Sequence, residues 1–330
     1  MKKNIALVTG GFSAEATISY KTATTIYNHL DKDLFEVYKI NISPKGWFYE
    51  MDGKNIKVNR EDFSLQLTGK KVLFDAVFIG MHGTPGEDGK LQGYFDMLRL
   101  PYTSCNAATS AITFNKRYTV AVAAMAGIHV AKSIHLFQHS GYNVDEILSQ
   151  LQLPVFVKPN NGGSSIGMSK VTEENALKDA LEKAFKEDDQ VLIEEMIIGR
   201  EFTVGVFKSE NKIHVLPVTE VISQKDFFDF EAKYEGKSSE VTPADIYTTW
   251  KEQIEEAAKK IYRIFNCSGV VRVDFIYNTT INAPFMLEIN TVPGQTEESI
   301  VPQQVQAMGW SLKEFYTTII NDALKTAAVE

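Results

Sequence analysis

The apolar run 5–8 is continuous, which suits a strand buried on both faces, and Gly10-Gly11 ends it. A helix is predicted over 15–30, then strands over 35–42 and 72–80, rich in β-branched and aromatic residues. Strands alternating with helices predict a parallel sheet covered by helices. Pro101 and the small polar residues up to Thr109 mark a boundary. The pattern then predicts a helix over 111–126, an extended stretch over 128–137 and an acidic helix over 144–151. A strand closed by Pro159 leads into a glycine- and serine-rich turn at 160–167, and a strand over 168–171 follows. A helix over 173–186 and a strand over 191–195 complete this unit. The last third predicts strands at 201–207, 213–218, 269–277 and 285–290, a helix over 247–265, and helices to the end. Between them, residues 223–243 lack periodicity, and loops of that length in compact domains are usually functional or disordered. Phe227, Phe228, Phe230 and Tyr234 argue against disorder. The fold class is α/β followed by α+β.

Composition narrows the function. The 330 residues predict about two domains, with three possible, and 44% hydrophobic with 23% charged residues is an ordinary globular balance. The net charge of −8 argues against a nucleic-acid partner, which needs a basic face. Cys105 and Cys267 are too few and too far apart for a disulfide framework or a zinc site, so two free thiols in a reducing compartment are expected. The six histidines form no HExxH cluster, which removes a zinc hydrolase. The apolar stretch after Lys2-Lys3 stops at Thr9, too short for a signal peptide, and the stretch 120–131 is too short to span a bilayer. A cytoplasmic location without a membrane partner is expected.

Candidate chemistry sits in four places. Gly10-Gly11 could present N–H groups to an anion at a helix start, or be a tight turn needing positive φ. It lacks the third glycine of a dinucleotide fingerprint. Glu15, in the following first helical turn, suits the helix dipole and also points to the strand ends where open α/β sheets bind ligands. His82-Gly83 and Glu87-Asp88-Gly89 fall at the same edge and could orient a charged substrate, although such turns are common. The stretch from Lys158 to Gly167 combines glycines, serines and a lysine, as a phosphate loop does. It is either that or a flexible hairpin, and it is not a Walker A loop, because Met168 stands where lysine is required. Finally, Arg272 and Asp274 share one strand face, as do Glu288 and Asn290. Three oxygen ligands without His or Cys suit Mg2+, and the alternative is a buried arginine–carboxylate network without metal.

Taken in order, these segments carry a resemblance. Gly10-Gly11-Phe12-Ser13-Ala14-Glu15, His82-Gly83-Thr84-Pro85-Gly86-Glu87-Asp88-Gly89 and Gly163-Ser164-Ser165-Ile166-Gly167-Met168-Ser169-Lys170 resemble signatures of the D-alanine–D-alanine ligases. So do Phe228-Asp229-Phe230-Glu231-Ala232-Lys233-Tyr234, Arg272-Val273-Asp274 and Glu288-Ile289-Asn290-Thr291-Val292-Pro293-Gly294. The resemblance covers essentially the whole chain and implies the ATP-grasp superfamily. Two departures stand out: Gln295 where that family usually has methionine, and Glu298 where serine or histidine often stands.

The resemblance implies a Rossmann-like N-terminal domain over 1–104 that binds substrate. Two ATP-grasp α+β domains follow, over 105–193 with the phosphate loop and over 194–330 with the metal site. It implies that ATP phosphorylates one D-alanine carboxylate and that the amine of a second D-alanine attacks the acyl phosphate. Lys116 and Lys158 would hold the α- and β-phosphates and Lys233 the γ-phosphate. Glu194, Glu195 and the backbone of Ile197 would hold adenine, with Glu201 on the ribose. Asp274, Glu288 and Asn290 would hold Mg2+, with Mn2+ as a substitute. Glu15 would bind the donor ammonium, His82 would lie near the donor carboxylate, and Ser299 would bind the acceptor carboxylate. Arg272 and the Gly294 amide would stabilise the oxyanion, while Ser164 and Tyr234 would hydrogen-bond with Glu15 and draw the Lys233 loop over the site. A homodimer is also implied. The rival readings are a ligase of this superfamily with D-lactate or D-serine as acceptor, and a nucleotide-binding regulator without catalysis.

Overall fold

The computed structural model describes residues 2–163, 165–223 and 238–326. The first sheet has the order β4-β3-β2-β1-β7. At its centre β1 (Lys3–Gly10) pairs in parallel with β2 (Phe35–Ser43) and β7 (Ala76–Ile79). Six consecutive residues of β1 are buried, as a strand covered on both faces requires. The sheet is not wholly parallel. A Pro44-Lys45-Gly46 turn folds the chain back, so β3 (Gly46–Met51) and β4 (Lys54–Lys57) extend it as an antiparallel edge. The strand predicted over 72–80 is also divided: β6 (Lys70–Val72) pairs with β5 (Leu65–Leu67), and β7 starts afresh at Ala76. Asp75 marks the break by accepting the Asn4 N–H at 2.8 Å.

Helix α1 (Ala16–His29) starts one residue after Glu15, which occupies its N-cap, and α2 (Lys90–Met97) follows the His82 loop. The helix predicted over 111–126 is two, α3 (Ala107–Phe114) and α4 (Lys116–Met125). Asn115 breaks it, because its extended backbone ends α3 while its side chain accepts the Tyr118 N–H and caps α4.

The second sheet is antiparallel, with order β10-β9-β11-β8: β8 is Ser133–Phe137, β9 Val155–Pro159, β10 Ser169–Val171 and β11 Gln190–Glu195. Buried and half-buried residues alternate along β9. Val155 and Val157 pack on α6 (Leu177–Ala184) and α5 (Val144–Gln150), which leaves Phe156 and Lys158 on the opposite face.

The third sheet runs β15-β14-β12-β16-β17, with β13 (Lys212–Val215) beside β12 (Arg200–Ser209). The predicted strand 213–218 therefore ends at Val215, and β14 (Thr219–Ser223) is separate. Within the aromatic-rich stretch, β15 (Ser238–Val241) pairs with β14, so its end is sheet rather than loop. Next come β16 (Val270–Asn278) and β17 (Ala283–Asn290). Helix α7 (Thr248–Ile264) covers one face with a stripe of Ile254, Ala258, Ile261 and Tyr262, and its charged residues face water. Two helices, α8 (Ile300–Ala307) and α9 (Leu312–Thr326), lie on the other side. Phe315, Tyr316 and Ile319 of α9 share one core with Ile5 and Phe78 of the first sheet, with Ile26 of α1 and with Phe207 of β12. The carboxyl-terminal helix thus ties the first sheet to the third.

Candidate active site

The second and third sheets present polar faces to a cavity of about 610 Å³. From the second sheet come Phe156, Lys158 and Glu194, placed on one face by the pairing of Lys158 with Leu192 and of Phe156 with Glu194. Lys158 is ion-paired with Glu194, and both side chains are largely buried. Burial alone would lower the lysine pKa, but Glu194, reinforced by Glu288 and Glu201, outweighs it and holds the value above the ordinary lysine range. The glycine-rich loop, with Gly162, Gly163, Ser165 and Ile166, forms one wall. Asp188 holds Asn161 by its N–H and its side-chain amide at 2.7 and 2.8 Å, and Asn160 accepts the first N–H groups of α4. Lys116, at the start of that helix, donates to the Gly162 carbonyl at 2.7 Å.

From the third sheet, Glu201, Asp274 and Glu288 line the cavity. Asp274 lies directly opposite Glu288, and Arg272 opposite Asn290, so the spacing of two does place these residues together on one face. Arg272 grips both oxygens of Asp274 at 2.8 Å and lies 3.9 Å from Glu288. Although burial opposes its charge, Asp274, Glu288 and Glu240 raise the guanidinium pKa further. Thr203, which no sequence motif marks, donates its hydroxyl to Asp274. Asn290 accepts the Val292 N–H at 3.1 Å. Among the described residues no three His, Cys, Asp or Glu side chains form a metal cluster. Two carboxylates with one amide oxygen nevertheless fit a hard cation such as Mg2+, which completes its shell with waters and substrate phosphates. A carboxylate has about four lone-pair directions, so the Arg272 fork does not exhaust Asp274.

The first unit reaches the same cavity through Ser13 and Glu15. A Cβ on Gly83 would fall 2.5 Å from one Glu15 oxygen, and a Cβ on Gly163 would fall 3.0 Å from the other. The Glu15 carboxylate therefore lies between the His82 loop and the phosphate loop, and bare backbone makes the room. His82 is buried in the wall of the first unit. Its Nε2 is 2.8 Å from the Thr22 hydroxyl, its N–H donates to Ser19, and Nδ1 is 3.7 Å from Glu87. Glu87 also accepts the Gly83 N–H, and Asp88 accepts the Thr84 hydroxyl, so both carboxylates shape the loop. Ser299 accepts the Thr296 N–H, and its hydroxyl would lie 2.8 Å from a Cβ on Gly294. Glu195 and Ile197 line the cavity, with the Glu195 carboxylate committed to the Gln152 N–H at 2.8 Å. Ser164, Lys233 and Tyr234 lie outside the described residues. Sequence reasoning missed the apolar walls, including Ala131, Met196 and Leu287, which carry no motif.

A parallel-centred first unit, then an antiparallel sheet with a glycine-rich loop opposite a further sheet bearing Glu201, Asp274 and Glu288, defines an ATP-grasp enzyme. Family models described as D-ala D-ala ligase N-terminus and D-ala D-ala ligase C-terminus match residues 4–105 and 116–321. The chain is 44% identical to the D-alanine–D-alanine ligase of Flavobacterium johnsoniae, covering 98% of this chain and 99% of that one. Identity to the D-alanine–D-alanine ligase of Parabacteroides distasonis is 45%, covering 98% of each. Among solved structures, the VanG D-Ala:D-Ser ligase of Enterococcus faecalis superposes with a TM-score of 0.86 at 31% identity, covering 97% of this chain and 99% of that one. D-alanyl-alanine synthetase A of Vibrio cholerae gives 0.88 at 27%, covering 98% and 99%. The chain belongs to the D-alanine–D-alanine ligase family.

Proposed function

We propose that this enzyme uses ATP to join two D-alanine molecules into D-alanyl-D-alanine for peptidoglycan precursors, with units 1–104, 105–193 and 194–330 as its working parts. The observation that carries the reading is that Glu15 lines one cavity with Lys158, Glu194 and Asp274, so a small ammonium group and a nucleotide can meet there. The Lys158 pair keeps a carboxylate in an apolar-walled slot, where Glu194, Glu195 and the Ile197 backbone receive adenine and Glu201 receives the ribose. Lys116 and Lys158 neutralise phosphate charge at the loop, and Lys233 serves the γ-phosphate. Asp274, Glu288 and Asn290 hold Mg2+, which neutralises further charge on the triphosphate when bound.

Glu15 takes the donor ammonium, with Ser164 and Tyr234 as its partners, and His82 steadies the loop beside the donor carboxylate. A donor carboxylate oxygen bonds to the γ-phosphorus as ADP leaves. The acceptor amine, held through its carboxylate by Ser299, then attacks the acyl carbon. Arg272 keeps N–H groups beyond the fork on Asp274 and, with the Gly294 N–H, stabilises the oxyanion until phosphate departs. A cytoplasmic homodimer belongs to the same proposal, and no described helix is long and apolar enough to cross a membrane.

D-serine as acceptor is a second reading, favoured by the likeness to a D-Ala:D-Ser ligase. A regulator that only binds nucleotide should have lost part of the set Arg272, Asp274, Glu288 and Asn290, and this chain keeps every member. Phosphate release from ATP across D-alanine, L-alanine, D-serine and D-lactate tests the proposal. Release that requires D-alanine supports it, and release indifferent to the amino acid refutes it.

A further inference from the structure

Gln295 is only 4% exposed, yet both ends of its amide are engaged. Its Nε2 donates to the Pro293 carbonyl at 3.3 Å, and its Oε1 accepts the Tyr316 hydroxyl at 3.3 Å. Its backbone N–H donates to Thr22 Oγ1 at 3.4 Å, and that hydroxyl lies 2.8 Å from His82 Nε2. The Pro293 carbonyl and the Gly294 N–H belong to one planar trans peptide, so they point in opposite directions. Holding the carbonyl on one side therefore fixes the direction of the N–H on the other. The next peptide plane, Gly294–Gln295, is held in turn through its N–H on Thr22. Glycine is the residue with the least intrinsic stiffness, and a Cβ there would lie 2.8 Å from Ser299 Oγ, which would have to shift to admit it. Rigidity must come from the neighbours.

We infer that Gln295 is a positioning residue for acyl transfer: with Thr22 and Tyr316 it aims the Gly294 N–H at the developing oxyanion. The inference rests on the ligase reading above. A preorganised donor stabilises a transition state more than one that must first be oriented. Burial pushes the Tyr316 phenol well above its ordinary pKa, so it remains a donor throughout the working pH range. A methionine at this place would offer neither the amide donor nor the acceptor.

The test compares the parent enzyme with Gln295→Met and Tyr316→Phe, both as the full chain. The expected result for Gln295→Met is a kcat for dipeptide about tenfold lower, a fraction of the ~100-fold or more that follows loss of a whole oxyanion donor. Tyr316→Phe should fall about threefold, with KM for ATP and for D-alanine within twofold in both. Affinity for a phosphinate analogue of the tetrahedral intermediate should fall in step with kcat, while ADP affinity holds. A merely structural role would lower Tm without that split. Unchanged kcat and phosphinate affinity in both variants, or losses shared equally with KM for ATP, overturn the inference. A parent that forms no D-alanyl-D-alanine instead fails the ligase reading, and with it the inference.

Discussion

Replacing Lys158 with methionine removes the cation that faces Glu194 while keeping most of the side-chain volume. The two side chains are 17% and 8% exposed, much nearer a buried pair than a surface one. Surface pairs contribute about 0–1 kcal/mol, whereas removing one partner of a buried pair costs about 3–5 kcal/mol, because the other charge is left unpaired. At about 2 °C per kcal/mol for a chain of this size, Tm should fall by about 6–10 °C. The sign of the pH dependence follows from the raised lysine pKa. The pair's contribution is complete below the ordinary lysine value and is lost only as pH rises through the higher folded value, so the deficit should be constant from pH 6 to 9. Losing a charge-assisted contact to phosphate costs a further ~1.5–3 kcal/mol, so KM for ATP should rise at least ~10-fold. Thermal unfolding and initial rates of Lys158→Met, Glu194→Gln and the double variant test both parts. The double variant should lose at least ~1 kcal/mol less than the sum of the singles. A Tm change under about 2 °C together with additive singles would refute the buried-pair account.

Glu15→Gln should raise KM for donor D-alanine by about 10- to 150-fold, the worth of one charge-assisted hydrogen bond, and leave KM for ATP near the parent value; equal effects on both would make Glu15 a helix-terminus charge only. Gly83→Ala places a Cβ 2.5 Å from Glu15 at φ +68°, so it should cost about 1 kcal/mol in stability and weaken donor binding, and unchanged initial rates would refute the close packing. Glu288→Gln should raise the Mg2+ concentration needed for half-maximal phosphate release several-fold without lowering Tm, and an unchanged titration removes it from the metal site. Glu240, whose carboxyl burial raises above its ordinary pKa, binds protons more tightly when folded, so the parent loses stability as pH rises through that range. Glu240→Gln should therefore raise Tm at pH 7 and lose the advantage below the ordinary glutamate pKa; a Tm gain that is the same at pH 4 and pH 7 would refute the assignment.

The parts of the fold that read clearly in the sequence are those where a single period dominates. The unbroken run of β1 and the four-residue stripe of α7 are of this kind, and so is the spacing of two that brings Arg272, Asp274, Glu288 and Asn290 together. Local competition hid the rest. Asn115 interrupts a helical pattern because its side chain caps a second helix, and Asp75 interrupts a strand by taking a backbone N–H of β1. The antiparallel edge of the first sheet hangs on one turn at Gly46, which a count of alternating strands and helices overlooks. His82 was legible as a residue at the sheet edge, but its partners Thr22 and Ser19 lie about 60 positions away and carry no motif. Thr203 and Gln295 are similar cases, since their value comes from contacts with Asp274, Pro293 and Tyr316 that only folding creates.

The most direct measurement of the central claim follows oxygen through the reaction. D-alanine labelled with 18O in its carboxylate is incubated with ATP, Mg2+ and the enzyme, and phosphate and dipeptide are weighed by mass spectrometry. Activation as an acyl phosphate requires one carboxylate oxygen to leave with phosphorus. One 18O should therefore appear in each phosphate released, in step with one D-alanyl-D-alanine. Phosphate that carries only unlabelled oxygen, or that forms without dipeptide, would contradict the account.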